Sequence, residues 1–305
     1  MRIPVITGPT ATGKTDFVLK LTEFLDIEII SADAYQVYRY MDIGTAKPSK
    51  DELDRVKHHL IDILNPDCSY SAGDFFNHAE TLINSILNKG KIPVIVGGTG
   101  LYVESLTKGI FEGPPRNEEI REELKEIAKE KGTPFLHDEL KKIDPIYASK
   151  ISENDLVRII RALEVYKILK IPFTEAHRLF HKKPKFKYDI YVFYRNRSKL
   201  YTLINERVDK MFEKGWIDEV KRLNQMGYDS RYSSFKAIGY TEIENYLNKG
   251  GDINDVKDDI KKKTRRFAKR QFTWFKHMDE SIWIDIDELD FESIKNKLIT
   301  SFETI

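Results

Sequence analysis

Gly8-Pro9-Thr10-Ala11-Thr12-Gly13-Lys14-Thr15 constrains this chain more than any other stretch. The octapeptide fits G-x-x-x-x-G-K-[ST] in full. It lies between an apolar run, RIPVIT at 2–7, and a segment with Phe17, Val18, Leu21, Phe24 and Leu25 at helical spacing. A strand feeding a glycine loop that opens a helix is a phosphate-binding loop, or P-loop. Its glycines let backbone N–H groups converge on phosphate oxygens, and the helix start turns its positive dipole end to the anion. Lys14 adds a mobile positive charge, and the Thr15 hydroxyl is the candidate ligand for Mg²⁺. The motif points to a di- or triphosphate group without naming the chemistry done on it.

The rest of the first hundred residues extends that unit. IEIISA at 27–32 and IPVIVGG at 92–98 are short apolar runs, and AGDFFNHAETLINSILNKG at 72–90 is a helix that closes on Gly90. Continuous apolar strands separated by helices indicate a parallel sheet covered on both faces. Near FEGPPRNEE at 111–119 the texture changes to charged helical segments, and a basic loop at 182–188 leads back into a strand pattern, DIYVFYR, at 189–195. The expected fold is α/β: a P-loop core with a parallel sheet, a helical insertion and a mainly helical C-terminal region. The core then comprises 1–112 plus 189–305, and the insertion 113–188. The stretch SIWIDIDELDFESIKNKLITSF offers a last short strand and a closing helix.

Composition narrows the class. Hydrophobic residues make up 41% of the 305, which excludes a wholly disordered chain despite 32% charged residues. No run of ~18 apolar residues suggests a membrane span. The N-terminus enters a strand at once, with no signal-peptide pattern, and the one cysteine, Cys68, excludes a disulfide framework and a cysteine-rich zinc site. A cytoplasmic protein is expected. Net charge is +1, so the distribution of charge must decide whether a polyanion is a partner.

A hydrolysing P-loop enzyme usually carries an acidic metal ligand at the end of a later core strand. Here IPVIV ends in glycines followed by Thr99, and the acid follows the second strand instead, as Asp33 in IISADAYQVY. Ligands of open α/β sheets sit at the carboxyl ends of strands, so Asp33, Thr99 and the P-loop are expected in one crevice. Asp33 taken alone also suits a helix N-cap. His58 and His59 resemble half a metal site, but no further Cys/His cluster completes it.

GPTATGKT, ISADAYQVYRYMDIGTAKP, HHLIDI, YSAGDF, IPVIVGGTGLY, RALEVY and KRQFTWF occur in an order that resembles the bacterial-type tRNA isopentenyltransferase (tRNA dimethylallyltransferase) family, over about residues 2–276. The resemblance implies transfer of a dimethylallyl group from dimethylallyl diphosphate to N6 of the adenosine just 3′ of certain tRNA anticodons. It implies that Gly8 to Thr15 hold the donor diphosphate with Arg207, that Asp33 is the general base, and that Thr99 lies beside the reacting groups. It implies tRNA contact by Asp33, Ala34, Tyr35, Gln36, Thr99 and Arg121, and by Val157, Arg158, Ile159, Ile160 and Arg161. Lys236, Gly239, Tyr240, Lys269, Arg270, Gln271 and Trp274 complete that set. Lys236 and Thr241 stand where some members carry arginine. The implied partners are dimethylallyl diphosphate and a tRNA anticodon stem–loop; a monomer and no membrane association are expected.

The residues between 261 and 276 suit that partner independently. Lys261, Lys262, Lys263, Arg265, Arg266, Lys269, Arg270 and Lys276 occur there without an acid, interleaved with Phe267, Phe272, Trp274 and Phe275. Cations for phosphates and aromatic planes for bases are the expected combination. The bland reading is an amphipathic helix with Phe267 and Phe275 in the core. A P-loop kinase of a nucleoside or small metabolite, using Lys14 and Asp33, explains the first hundred residues nearly as well. An RNA-binding protein with a nucleotide switch is a third reading, against which the pairing of Asp33 with Thr99 speaks.

Overall fold

The computed structural model describes residues 2–302. It divides into two compact units, one made of residues up to 108 together with those from 184 onward, the other of 109–183. The first unit opens with β1 (Arg2–Thr7), α1 (Lys14–Leu21), β2 (Ile27–Ser31), α2 (Lys50–Arg55), β3 (His58–His59), α3 (Ala72–Leu87), β4 (Ile92–Val96) and α4 (Gly100–Lys108). The second comprises β5 (Ile110–Phe111), α5 (Glu118–Lys131), α6 (Thr133–Ile143), α7 (Pro145–Ala148), α8 (Leu156–Leu169), α9 (Phe173–Leu179) and β6 (His181–Lys182). The chain then returns through β7 (Lys187–Tyr194), α10 (Arg197–Glu213), α11 (Trp216–Gln225), α12 (Tyr240–Lys249), α13 (Ile253–Lys276), β8 (Ser281–Asp285) and α14 (Phe291–Phe302).

One parallel sheet of six strands, in the order β3-β2-β4-β1-β7-β8, organises the larger unit. Val5 on β1 pairs with Ile95 on one side and Ile190 on the other, so the strand that feeds the P-loop is central. β1 and β2 read as continuous apolar runs because helices bury both faces. One core cluster on the sheet contains Ile6, Val18, Leu21, Ile29, Val94, Phe193 and Ile284. A second, with Val37, Met41, Trp216, Val220, Phe235, Tyr240 and Ile260, holds the C-terminal helices and the segment after β2. The final strand pattern of the sequence becomes β8, parallel to β7, with Ile190 opposite Ser281.

The insertion has its own core, centred on Leu124, Leu136, Leu140, Ile159, Leu163 and Phe173. Its ends meet as a short antiparallel ladder in which Ile110 faces Lys182 and Phe111 faces His181. That ladder puts the limits of the unit at 109 and 183, a few residues ahead of those marked in the sequence by the Pro-Pro pair and the basic loop. Helix α3 starts on a reciprocal cap, with Ser71 and Asp74 each accepting or donating across the first turn, which fixes where the helix begins.

Candidate functional site

A cavity of about 430 Å³ opens at the carboxyl ends of the central strands. Thr10 to Asp16, Asp33, Gln36, Thr45 to Pro48, Gly97, Gly98, Arg207, Phe267 and Gln271 line it. This is the sheet edge at which open α/β folds bind ligands.

The P-loop is built by close approach of backbone to backbone. Gly8 has φ +134°, and a Cβ there would lie 2.1 Å from the Phe193 carbonyl oxygen, so only glycine fits between β1 and β7. Thr12 is buried and donates its hydroxyl to the Pro9 carbonyl at 2.9 Å, which ties the loop to itself. Lys14 Nζ donates to the carbonyls of Gly8 (3.0 Å) and Pro9 (2.7 Å). From α10, Arg207 donates to the Thr10 hydroxyl at 3.3 Å. Burial draws the Lys14 pKa down from 10.5 to about 7, the nearby Arg207 guanidinium adds to the fall, and Asp33 opposes it. Arg207 is likewise lowered by burial, with Asp33 and Asp16 acting the other way.

Asp33 follows β2 directly. Its Oδ1 accepts from the backbone N–H of Tyr35 (2.9 Å) and of Gln36 (3.3 Å), so the carboxylate does cap the next turn as well as facing the cavity. Burial raises its pKa above the ordinary 3.8, against those two N–H groups, Lys14 and Arg207, which pull it down. The Thr99 hydroxyl accepts from the Ala34 N–H at 3.0 Å, and the Thr99 N–H donates to the Ala32 carbonyl at 3.2 Å. Thr99 thus clasps the two residues that flank Asp33. Tyr35 is half-buried, and burial first, then the Asp33 charge, pushes its hydroxyl up to about 12. Gln36 Nε2 reaches the carbonyls of Thr45 (3.4 Å) and Ala46 (3.3 Å), while its Oε1 accepts from Ser31.

Several residues implied to face RNA have partners inside the protein. Gln271 is buried and is a strut: its Oε1 accepts from Thr10 N–H at 2.9 Å and its Nε2 donates to the Gly98 carbonyl at 2.8 Å. Tyr240 is wholly buried, with its hydroxyl on Glu219, and Gly239 lies against the Trp216 ring. Ile159 and Ile160 belong to the insertion's core. Tyr240, Ile159 and Ile160 are thus buried side chains, and Gln271 is a buried one at the wall of the central cavity. Arg121 and Arg161 both grip the buried Glu164, at 2.8 and 2.7 Å. Arg158 pairs with Asp155 at 3.3 Å but is largely exposed, as are Val157 and Lys236.

The basic stretch on α13 divides by face. Lys261 pairs with Asp209, Lys263 with Glu242 and Asp259, and Arg265 donates to Asn205. Arg266, Lys269 and Arg270 instead line a groove of about 750 Å³ with Thr273, Trp274 and Glu104. Phe275 is core, as the bland reading has it, whereas Phe267 lines the central cavity.

Among the described residues no group of three or more His, Cys, Asp or Glu side chains is arranged to hold a metal. His58 bonds the Val56 carbonyl and His59 bonds Glu28. The Thr15 hydroxyl beside a phosphate cradle suits a hard cation that keeps waters and takes its other ligands from a bound phosphate, as Mg²⁺ does. No helix among the described residues is long and apolar enough to cross a membrane.

The family described as IPP transferase matches residues 36–278. The chain is 45% identical over 298 residues to the tRNA dimethylallyltransferase of Thermotoga maritima, covering 98% of this chain and 97% of that one. To the tRNA dimethylallyltransferase of Carboxydothermus hydrogenoformans it is 46% identical, with 98% and 96% covered. Among solved structures it resembles the full-length tRNA isopentenylpyrophosphate transferase of Bacillus halodurans, with TM-score 0.73, 39% identity, and 99% and 97% covered. A eukaryotic dimethylallyltransferase described as acting on tRNA matches with TM-score 0.78 and 26% identity, over 93% of this chain and 73% of that one.

Proposed function

The chain belongs to the IPP transferase family, and from that premise we propose that it transfers a dimethylallyl group from dimethylallyl diphosphate to N6 of the adenosine 3′-adjacent to the anticodon in certain tRNAs, releasing diphosphate. One observation carries the reading: a half-buried carboxylate of raised pKa, Asp33, shares a cavity with a complete P-loop and Arg207. A kinase would need the same loop, but family membership sets that alternative aside.

The chemistry explains the pairing. The N6 lone pair is delocalised into the adenine ring, so N6 attacks poorly unless a proton leaves as it reacts. N6 bonds to C1 of the dimethylallyl group, the C1–O bond breaks with its electrons going to diphosphate, and one N–H proton passes to Asp33. A positioned base of this kind contributes typically 10²–10⁴-fold. The P-loop N–H groups, protonated Lys14 and Arg207 meet the charge that grows on the leaving group. Thr99 and the N–H groups of Tyr35 and Gln36 keep the carboxylate aimed. Mg²⁺, held by Thr15 and the donor's own phosphate oxygens, would neutralise part of the diphosphate charge.

An adenosine in an anticodon loop must leave its stack to reach such a cavity, at a cost of a few kcal/mol. The open cations of α13 and Trp274, which line one groove, are our candidates for holding the loop that delivers it.

The test incubates the protein with unmodified tRNA and either dimethylallyl diphosphate or ATP, followed by mass analysis of the nucleosides. An adenosine gaining one dimethylallyl group, with the prenyl donor only, is expected. A phosphorylated product with ATP and none with the prenyl donor would overturn the reading.

A further inference from the structure

The segment Thr45 to Pro48 forms part of the wall of the donor cavity that the P-loop also lines. That segment continues a tight turn in which Ala46 takes a left-handed conformation, φ +50°. A non-glycine residue there is strained by about 1 kcal/mol or more, so the surroundings must hold it. What holds it comes from far along the chain. The carboxylate of Glu219, on α11, accepts from Asp42 N–H (2.9 Å), Ile43 N–H (2.7 Å), Gly44 N–H (3.3 Å) and the Tyr240 hydroxyl (2.7 Å). Glu219 is only 1% exposed. A charge buried to that degree is tolerated only when its lone pairs are filled, and here backbone donors of a single turn fill most of them. Trp216 seals the arrangement: a Cβ added to Gly44 would lie 2.2 Å from its indole nitrogen. From the cavity side, Gln36 holds the carbonyls of Thr45 and Ala46.

We propose that Glu219 is a positioning residue for the donor site, fixing the turn at 42–44 and through it the distance between the 45–48 wall and the P-loop. Resting on the donor reading above, the inference gives DIGTAKP at 42–48 a role in shaping the donor cavity rather than in touching RNA. It also explains why that motif accompanies the buried Trp216 and Glu219 of α11 and the Gly-Tyr pair at 239–240. Glu219 itself does not line the cavity, so it acts only through the turn.

The experiment measures dimethylallyl diphosphate affinity by calorimetry and steady-state kinetics with tRNA, for wild type, Glu219→Gln, Gly44→Ala and Val220→Ala. Glu219→Gln keeps the shape but removes an acceptor. Gly44→Ala drives the same turn against Trp216 with the carboxylate intact, and it stands as the test should the first variant not fold. Val220→Ala removes buried methyl groups from the same helix and leaves every hydrogen bond of the turn in place. The first two are expected to raise donor Kd and donor KM about tenfold, with kcat and tRNA KM changed less than about threefold. Val220→Ala is expected to lower Tm while leaving donor Kd as in wild type. Donor affinity that follows Tm across all three variants, or that stays unchanged in the first two, would overturn the inference alone. A wild-type protein that binds neither dimethylallyl diphosphate nor inorganic diphosphate would overturn the donor reading together with it.

Discussion

At the scale of single residues the site is a balance between burial and charge. Burial raises the Asp33 pKa while two N–H groups, Lys14 and Arg207 oppose the rise, so the carboxylate is more basic than a surface aspartate. Asp33→Asn keeps the cap to Tyr35 and Gln36 and removes the proton acceptor. Turnover under saturating substrates is expected to fall by about two orders of magnitude or more, with tRNA affinity by filter binding unchanged. Lys14 makes a second prediction through its sign. In the free protein its pKa is about 7, so above pH 7 it is mostly neutral. A bound diphosphate stabilises the ammonium and raises that pKa, so binding at pH 8 takes up nearly one proton, and donor affinity declines as pH rises from 7. Calorimetry in two buffers of different ionisation enthalpy should register the uptake in wild type and its loss in Lys14→Met; equal uptake in both would remove Lys14 from the donor site. These two residues are legible in the sequence, because a motif and its distance from a strand end suffice to find them. Glu219 and the strut role of Gln271 are not, since the backbone groups they hold lie 173 or more residues away and no local pattern announces such a pairing.

At the scale of elements, period decides what can be read. β1, β2 and β4 show as continuous apolar runs because both of their faces are buried, and their ends are placed to within a residue or two. The segment VRIIR shows the limit of a motif: as a string it resembles a contact stretch, but on α8 its Ile159 and Ile160 turn inward with Leu163 while Val157 and Arg158 turn out. Helical spacing separates the two faces where the string does not. The same holds for α13, where the cations at 261, 263 and 265 are engaged by Asp209, Glu242, Asp259 and Asn205, and those at 266, 269 and 270 border the groove. Replacing Lys269 and Arg270 together by Ala should weaken tRNA binding and flatten its log–log salt slope by about one or two units, with donor affinity unchanged. Replacing Lys261 and Lys263 should leave the slope alone. Equal slopes for wild type and the first double variant, both folded by circular dichroism, would show the groove to be a solvated face.

For the whole molecule, the division into units has energetic consequences. The insertion is small for a core of its own and leans on a buried charge, Glu164, that accepts from Arg121, Arg161 and the Asn117 N–H. Burial pushes the Glu164 carboxyl up, and its three partners more than offset this, so its pKa lies below the ordinary 4.5. A depressed acid contributes stability that is present above pH 4.5 and lost as pH falls through the native value. Hydrogen exchange by mass spectrometry should therefore show protection in 109–183 declining below pH 4.5 in wild type. In Glu164→Ala, protection should be lower throughout that unit at neutral pH, by the 3–5 kcal/mol typical of a broken buried pair, with β1, β2 and β4 as protected as before. Uniform loss across both units would contradict the separation. The strand order carries a consequence of a different kind, one of timing. The P-loop is complete within the first fifteen residues of the chain, yet its two supports arrive late: Phe193 on β7, against which Gly8 packs, and Gln271 on α13, which holds Thr10. At about 5–20 residues per second, a ribosome extrudes the sequence that recognises phosphate long before it extrudes the residues that hold that sequence in shape. The growing chain thus carries the loop as an unsupported turn until Phe193 and then Gln271 have followed it out, and only then does it become a binding site.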